Sequence, residues 1–169
     1  MVWLAMLVTA GVLQSALLSR MTLFGVHPEL VFVIAFSWTL WRGVREGMWT
    51  AFVGGLILDL FSVTPFGTFT TAMLTALVLV GITERLPLRM TFPLASVILV
   101  AATVVFNLVA MIMMQSLGWQ VAWGHQWALV PRIAVLNILL FALLYRPLRW
   151  LAQREGAPAI EWRMTEGGL

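Results

Sequence analysis

Along almost the whole chain, apolar runs of roughly fifteen to twenty-five residues alternate with short loops that carry charge, proline or glycine. A hydrocarbon core offers no water to the backbone, so a run of this kind is stable there only as a helix that satisfies its own N–H and C=O groups. Charged residues are 10% of the sequence against 62% hydrophobic, whereas a water-facing domain carries about a quarter charged. The fold class expected is an all-α integral membrane protein, a compact six-transmembrane-helix bundle forming a single transmembrane domain over residues 1–169.

The expected helices are residues 2–19, 28–42, 47–61, 68–83, 91–117 and 126–144, with a polar tail at 148–169. The first run ends at Arg20; it has no basic stretch before it and no small-x-small cleavage pattern after it, so it reads as a helix rather than a signal peptide. Pro28 and Glu29 suit the first turn of the second helix. Pro65 and Gly67 turn the chain between the third and fourth, and Pro147 follows the sixth.

Charge gives the bundle a direction. All ten fixed cations are arginine, against seven acids. With both termini cytoplasmic, Arg42, Arg45, Arg85, Arg89, Arg146, Arg149, Arg154 and Arg163 share the inner side, and Arg20 stands alone in the outer loops. That asymmetry is the positive-inside pattern. Trp38, Trp41, Trp49 and Trp150 fall at the inner interface, and Trp119, Trp123 and Trp127 at the outer one, as aromatic belts do. Arginines placed singly or in pairs at the ends of apolar runs make no basic groove, which argues against nucleic acid. The basic tail with Arg149 and Trp150 reads as solvated and orienting, with membrane lipid or cytoplasmic partners within its reach.

The polar exceptions inside apolar runs carry the rest. Gly47, Ala51, Gly55 and Asp59 are spaced by four and share a helix face; Gly54 widens it and Ser62 extends it. Two readings stay open for this stripe, a small-residue packing seam and a substrate or ion pathway. Arg132, at similar depth and of opposite charge, is expected to pair with Asp59. Asn107, Asn137, Thr71 and Thr75 can hydrogen-bond across helix interfaces. His27, His125 and Glu29 share the outer side, but without HxxxH or HExxH spacing no metal is expected. Met111, Met113 and Met114 read as plastic packing. Cysteine is absent, and no nucleophile elbow, phosphate loop or paired-carboxylate spacing occurs. The chain is expected to be no enzyme and to use no cofactor.

One stretch, His27 to Leu86, resembles a known family. His27-Pro28-Glu29-Leu30, Trp41-Arg42-Gly43, Gly54-Gly55-Leu56-Ile57-Leu58-Asp59-Leu60-Phe61-Ser62, Pro65-Phe66-Gly67 and Leu79-Val80-Gly81 together resemble the bacterial rod shape-determining protein MreD family. Two departures from the family's pattern are Glu29, where Asp is usual, and Val63-Thr64, where smaller residues are. The resemblance covers about a third of the chain. It implies a non-enzymatic scaffold of the cell-wall elongation machinery in the plasma (inner) membrane. The partners it implies are an MreC-like single-span protein, with MreB, RodA and PBP2-type proteins alongside. The family also looks like the substrate-binding subunits of energy-coupling-factor transporters, so a small-molecule transporter subunit is the alternative.

Overall fold

The computed structural model describes residues 2–15, 25–83 and 91–154. Among the described residues the chain forms six helices and no strand: α1 (Val2–Leu13), α2 (Leu30–Arg42), α3 (Val44–Phe61), α4 (Thr68–Ile82), α5 (Phe92–Ser116) and α6 (Trp123–Arg154). Arg20, Arg85, Arg89, Arg163 and the remainder of the expected tail lie outside the described residues.

α2 organises the rest. It is buried at every position from Val31 to Trp41, as befits a helix apolar all round. It touches α1, α3, α4 and α6, and α5 packs on α4 and α6. Aromatic pairs tie it to the long helices: Phe32 to Phe106, Phe36 to Phe141 and Trp41 to Tyr145, with ring centroids 4.8, 5.7 and 5.6 Å apart. Its two hydroxyl residues spend their protons at home. Ser37 Oγ donates to the Val33 carbonyl at 2.7 Å and Thr39 Oγ1 to that of Ala35 at 2.8 Å, which removes bare donors from an apolar interior.

Two helices are long and apolar enough to cross a membrane, Phe92–Ser116 and Trp123–Leu151. The 13 residues of α2 rise only about 20 Å, less than the roughly 30 Å of a hydrocarbon core. α5 opens with a proline in its first turn, where no N–H bond is lost. Its buried face, Ala95, Leu99, Ala102, Thr103, Phe106 and Ala110, keeps helical spacing.

α6 differs from its expected span. It does not stop before Pro147 but continues as helix to Arg154, through Pro131 and Pro147. The reason is packing. Leu148 is buried and Leu151 packs on the core cluster, continuing the stripe begun by Phe141 and Tyr145. That apolar face outweighs the loss of one backbone bond at the proline. The stretch assigned to a polar tail from residue 148 is thus an amphipathic extension of α6 as far as Arg154.

Candidate functional site: the α3–α4 corner

Asp59 lies near the end of α3 and is buried. Its Oδ1 accepts the backbone N–H of Phe69 at 2.8 Å. Its Oδ2 accepts the backbone N–H of Thr70 at 3.0 Å and the Thr70 hydroxyl at 2.6 Å. Both residues stand in the first turn of α4, whose N-cap Gly67 provides no side-chain cap. The first N–H groups of a helix have no partner within it and carry partial positive charge. A carboxylate supplied by the preceding helix meets both demands, which is how an acid is accommodated in so apolar a chain.

The neighbouring residues make that reach possible. Gly55 lies one turn before Asp59, and a Cβ there would stand 2.5 Å from Thr70 Cα and 3.0 Å from Thr70 N. Only a glycine lets α4 come this close. Beyond α3, Ser62 Oγ accepts the Thr64 N–H at 3.1 Å and shares a proton with Thr64 Oγ1 at 2.8 Å. The Pro65 carbonyl accepts the Thr68 N–H at 3.2 Å and its hydroxyl at 2.7 Å. Gly67 then takes φ +92°, a left-handed conformation that side chains disfavour. Gly55, Asp59, Ser62, Pro65 and Gly67 thus form one device that fixes the hand-over from α3 to α4. Its outer surface is apolar: Val63 is 91% exposed, Leu60 67%, Phe66 66% and Phe61 56%.

A second polar node joins three helices. Glu29, the N-cap residue of α2, accepts Asn107 Nδ2 from α5 at 3.3 Å and Asn137 Nδ2 from α6 at 2.8 Å. Asn137 is fully buried and also donates to Thr103 Oγ1 at 3.2 Å. The two asparagines therefore meet through the carboxylate and not through each other. Glu29 reads in the sequence as a first-turn acid, and nothing local marks it as a hub. The available signal was three polar residues at similar depth on three apolar helices. Glu29→Gln is expected to cost about 1–2 kcal/mol, because one acceptor is lost and a flip of the Asn137 amide to accept from the new NH₂ gives up its bond to Thr103 Oγ1. Adding Asn137→Asp, which supplies an acceptor opposite that NH₂, should recover part of the loss in thermal unfolding of the purified protein.

Gly47 packs against Thr39 of α2, where a Cβ would overlap the threonine side chain. Ala51 is buried on the same face. Gly54 faces the junction of Val31, Leu7 and Met73 from three helices. Arg132 is exposed on α6, and the oxygens of Asp59 are already occupied by α4. The expected Asp59–Arg132 pair is not formed: helix-terminal N–H groups supply the positive charge that the arginine was expected to supply. Thr71 and Thr75 are likewise exposed, and they bond the Gly67 and Thr71 carbonyls within α4 at 2.7 and 2.8 Å, not a neighbouring helix. Among the described residues no group of three His, Asp or Glu side chains is placed to hold a metal ion.

Chemically, both carboxylates act as acceptors for donors of neighbouring helices. The phenyl rings of Phe32, Phe106 and Phe69 connect the two nodes, with Phe106 4.8 Å from Phe32 and 6.1 Å from Phe69. The family model described as rod shape-determining protein MreD matches residues 1–155, far more of the chain than the stretch around the corner. No curated protein and no solved structure matches.

Proposed function

The chain belongs to the rod shape-determining protein MreD family, and on that premise we propose that it is a non-enzymatic scaffold subunit of the bacterial cell-wall elongation machinery. In this reading it is a six-span protein of the inner membrane with both termini cytoplasmic. It holds an MreC-like single-span partner and, through it, peptidoglycan synthases of the RodA and PBP2 type and the MreB filament. Family membership carries the role in rod shape. The observation that carries the partner-holding role is the α3–α4 corner, whose acid is spent on internal bonds while its surface is a cluster of large apolar side chains. A fixed, apolar, membrane-level knob suits the helix of a partner protein. A transporter subunit would instead leave polar groups free around a cavity.

The experiment is a pull-down of the tagged chain from gently solubilised membranes of a rod-shaped host depleted of its own family member. Val63→Glu with Phe66→Glu should cut recovery of the single-span partner about thirtyfold, the effect of removing an anchor worth about 2 kcal/mol. Cells carrying that variant should round up, while its unfolding midpoint in detergent stays unchanged. Full recovery by the variant, or stoichiometric capture of an ATPase-coupled membrane subunit by the unaltered chain, would overturn the proposal.

A further inference from the structure

Toward the other end of α3, Arg45, Met48, Trp49 and Phe52 line an open groove of about 520 Å³ with Leu74 of α4. Arg45, Trp49 and Phe52 are spaced by four and three, so they stand on one face. Along that face the chemistry passes from guanidinium to indole to phenyl over about 10 Å. A phospholipid passes from phosphate to glycerol ester to acyl chain in the same order, and an indole favours the level of the ester. The groove is open to its surroundings: Trp49 is 65% exposed, and Arg45, Met48 and Phe52 are exposed as well.

Charge selects the headgroup. Arg42, one turn away, is committed to Glu46, donating Nε to Oε2 at 2.6 Å and Nη2 to Oε1 at 2.8 Å. Among the described residues Arg45 has no acidic partner. A guanidinium at the mouth of an apolar groove is complementary to a phosphate diester without a cation of its own. A zwitterionic lipid brings an ammonium group to the same place and gains less. We propose that this groove is a binding site for an acidic glycerophospholipid, with its phosphate on Arg45 and an acyl chain laid along Trp49, Phe52 and Leu74. The site depends on the membrane placement of the bundle and not on which protein the α3–α4 corner holds.

The test uses the full chain in nanodiscs of phosphatidylcholine doped with phosphatidylglycerol or phosphatidylcholine brominated on the acyl chain. Subtracting the quenching of Trp49→Phe from that of the unaltered protein isolates Trp49. Quenching of Trp49 should be half-complete at about fivefold less brominated phosphatidylglycerol than phosphatidylcholine, the contribution of one arginine near an anionic headgroup. Arg45→Gln should abolish the preference and Arg45→Lys should retain most of it. Arg45 and Trp49 are exposed, so circular dichroism and the unfolding midpoint should not move. Equal quenching by the two lipids would overturn the proposal, as would a preference that survives Arg45→Gln. So would a Trp49 that neither lipid quenches, since a protein surface would then cover the groove. Pull-down of the partner reads the opposite end of α3, so either result can fail without the other.

Discussion

Asp59→Ala is expected to destabilise the folded bundle by about 3 kcal/mol, seen as a fall of about 6–12 °C in the unfolding midpoint of the purified protein. The substitution leaves the N–H groups of Phe69 and Thr70 and the Thr70 hydroxyl without their acceptors. A buried donor stripped of its partner costs about 1–3 kcal/mol, and three donors on one acceptor do not sum fully. Asp59→Asn separates charge from hydrogen bonding. Its one oxygen can still accept Phe69, but its NH₂ then faces the Thr70 N–H, donor against donor. Asparagine should therefore recover less than half of the loss. Glutamate keeps the charge on a longer stem, and Gly55 holds α4 too near for that stem to extend without a shift. A midpoint for Asp59→Ala within about 2 °C of the unaltered protein would mean that the start of α4 finds its acceptors elsewhere.

The same residue shows how far sequence reasoning reaches. Asp59 is conspicuous as an acid in an apolar run, and the glycines before it announce a close approach of helices. Its partner is hidden, because backbone N–H groups have no letter of their own. Charge and depth alone point to Arg132, the visible cation, and that pairing is not the one formed. A subtler signal was present: α4 opens on Gly67, with no Ser, Asp or Asn to cap it, so its first donors need an acceptor from outside. The α6 extension has a similar cause. Pro147 reads as a stop, yet Leu148 and Leu151 keep the apolar register and so keep the helix. Hydropathy marks where helices run, whereas contacts between helices decide which polar atoms meet and where a helix ends.

The corner and the groove divide α3 between them. Near one end its acid and Gly55 hold α4; toward the other, Arg45 and Trp49 face outward. Between these stations Thr50, Ala51 and Gly54 are buried. A helix committed on one face to packing still offers the opposite face to its surroundings, and this lets one short helix serve both the fold and its contacts. Substitutions on the two faces should therefore separate. Those on the packing face lower stability, and those on the outward face change binding with the midpoint unmoved.

Even within the packing face, adjacent glycines should differ in cost according to what a methyl group would meet. Gly55→Ala is expected to cost about 2–3 kcal/mol, although alanine is the better helix former by about 1 kcal/mol. The new methyl would meet Thr70 Cα at 2.5 Å and the Phe69 carbonyl oxygen at 3.2 Å. Backbone cannot rotate away, so α4 must retreat as a unit, and the Asp59 bonds lengthen with it. Gly54→Ala meets side-chain ends instead, Val31 Cγ1 at 2.9 Å, Leu7 Cδ2 at 3.3 Å and Met73 Cε at 3.3 Å. Leu7 and Met73 can yield by small rotations, whereas Val31 is buried and β-branched and must shift as a whole. The gain in helix propensity offsets part of that crowding, so the midpoint should fall by less than half as much as for Gly55→Ala. Because Gly55 and Asp59 act on the same turn of α4, the double variant with Asp59→Ala should be clearly less damaging than the two single losses added together. Thermal unfolding of the four proteins closes that cycle. Strict additivity would show that the close approach at Gly55 and the carboxylate at Asp59 stabilise α4 independently, and the corner would then not be one device.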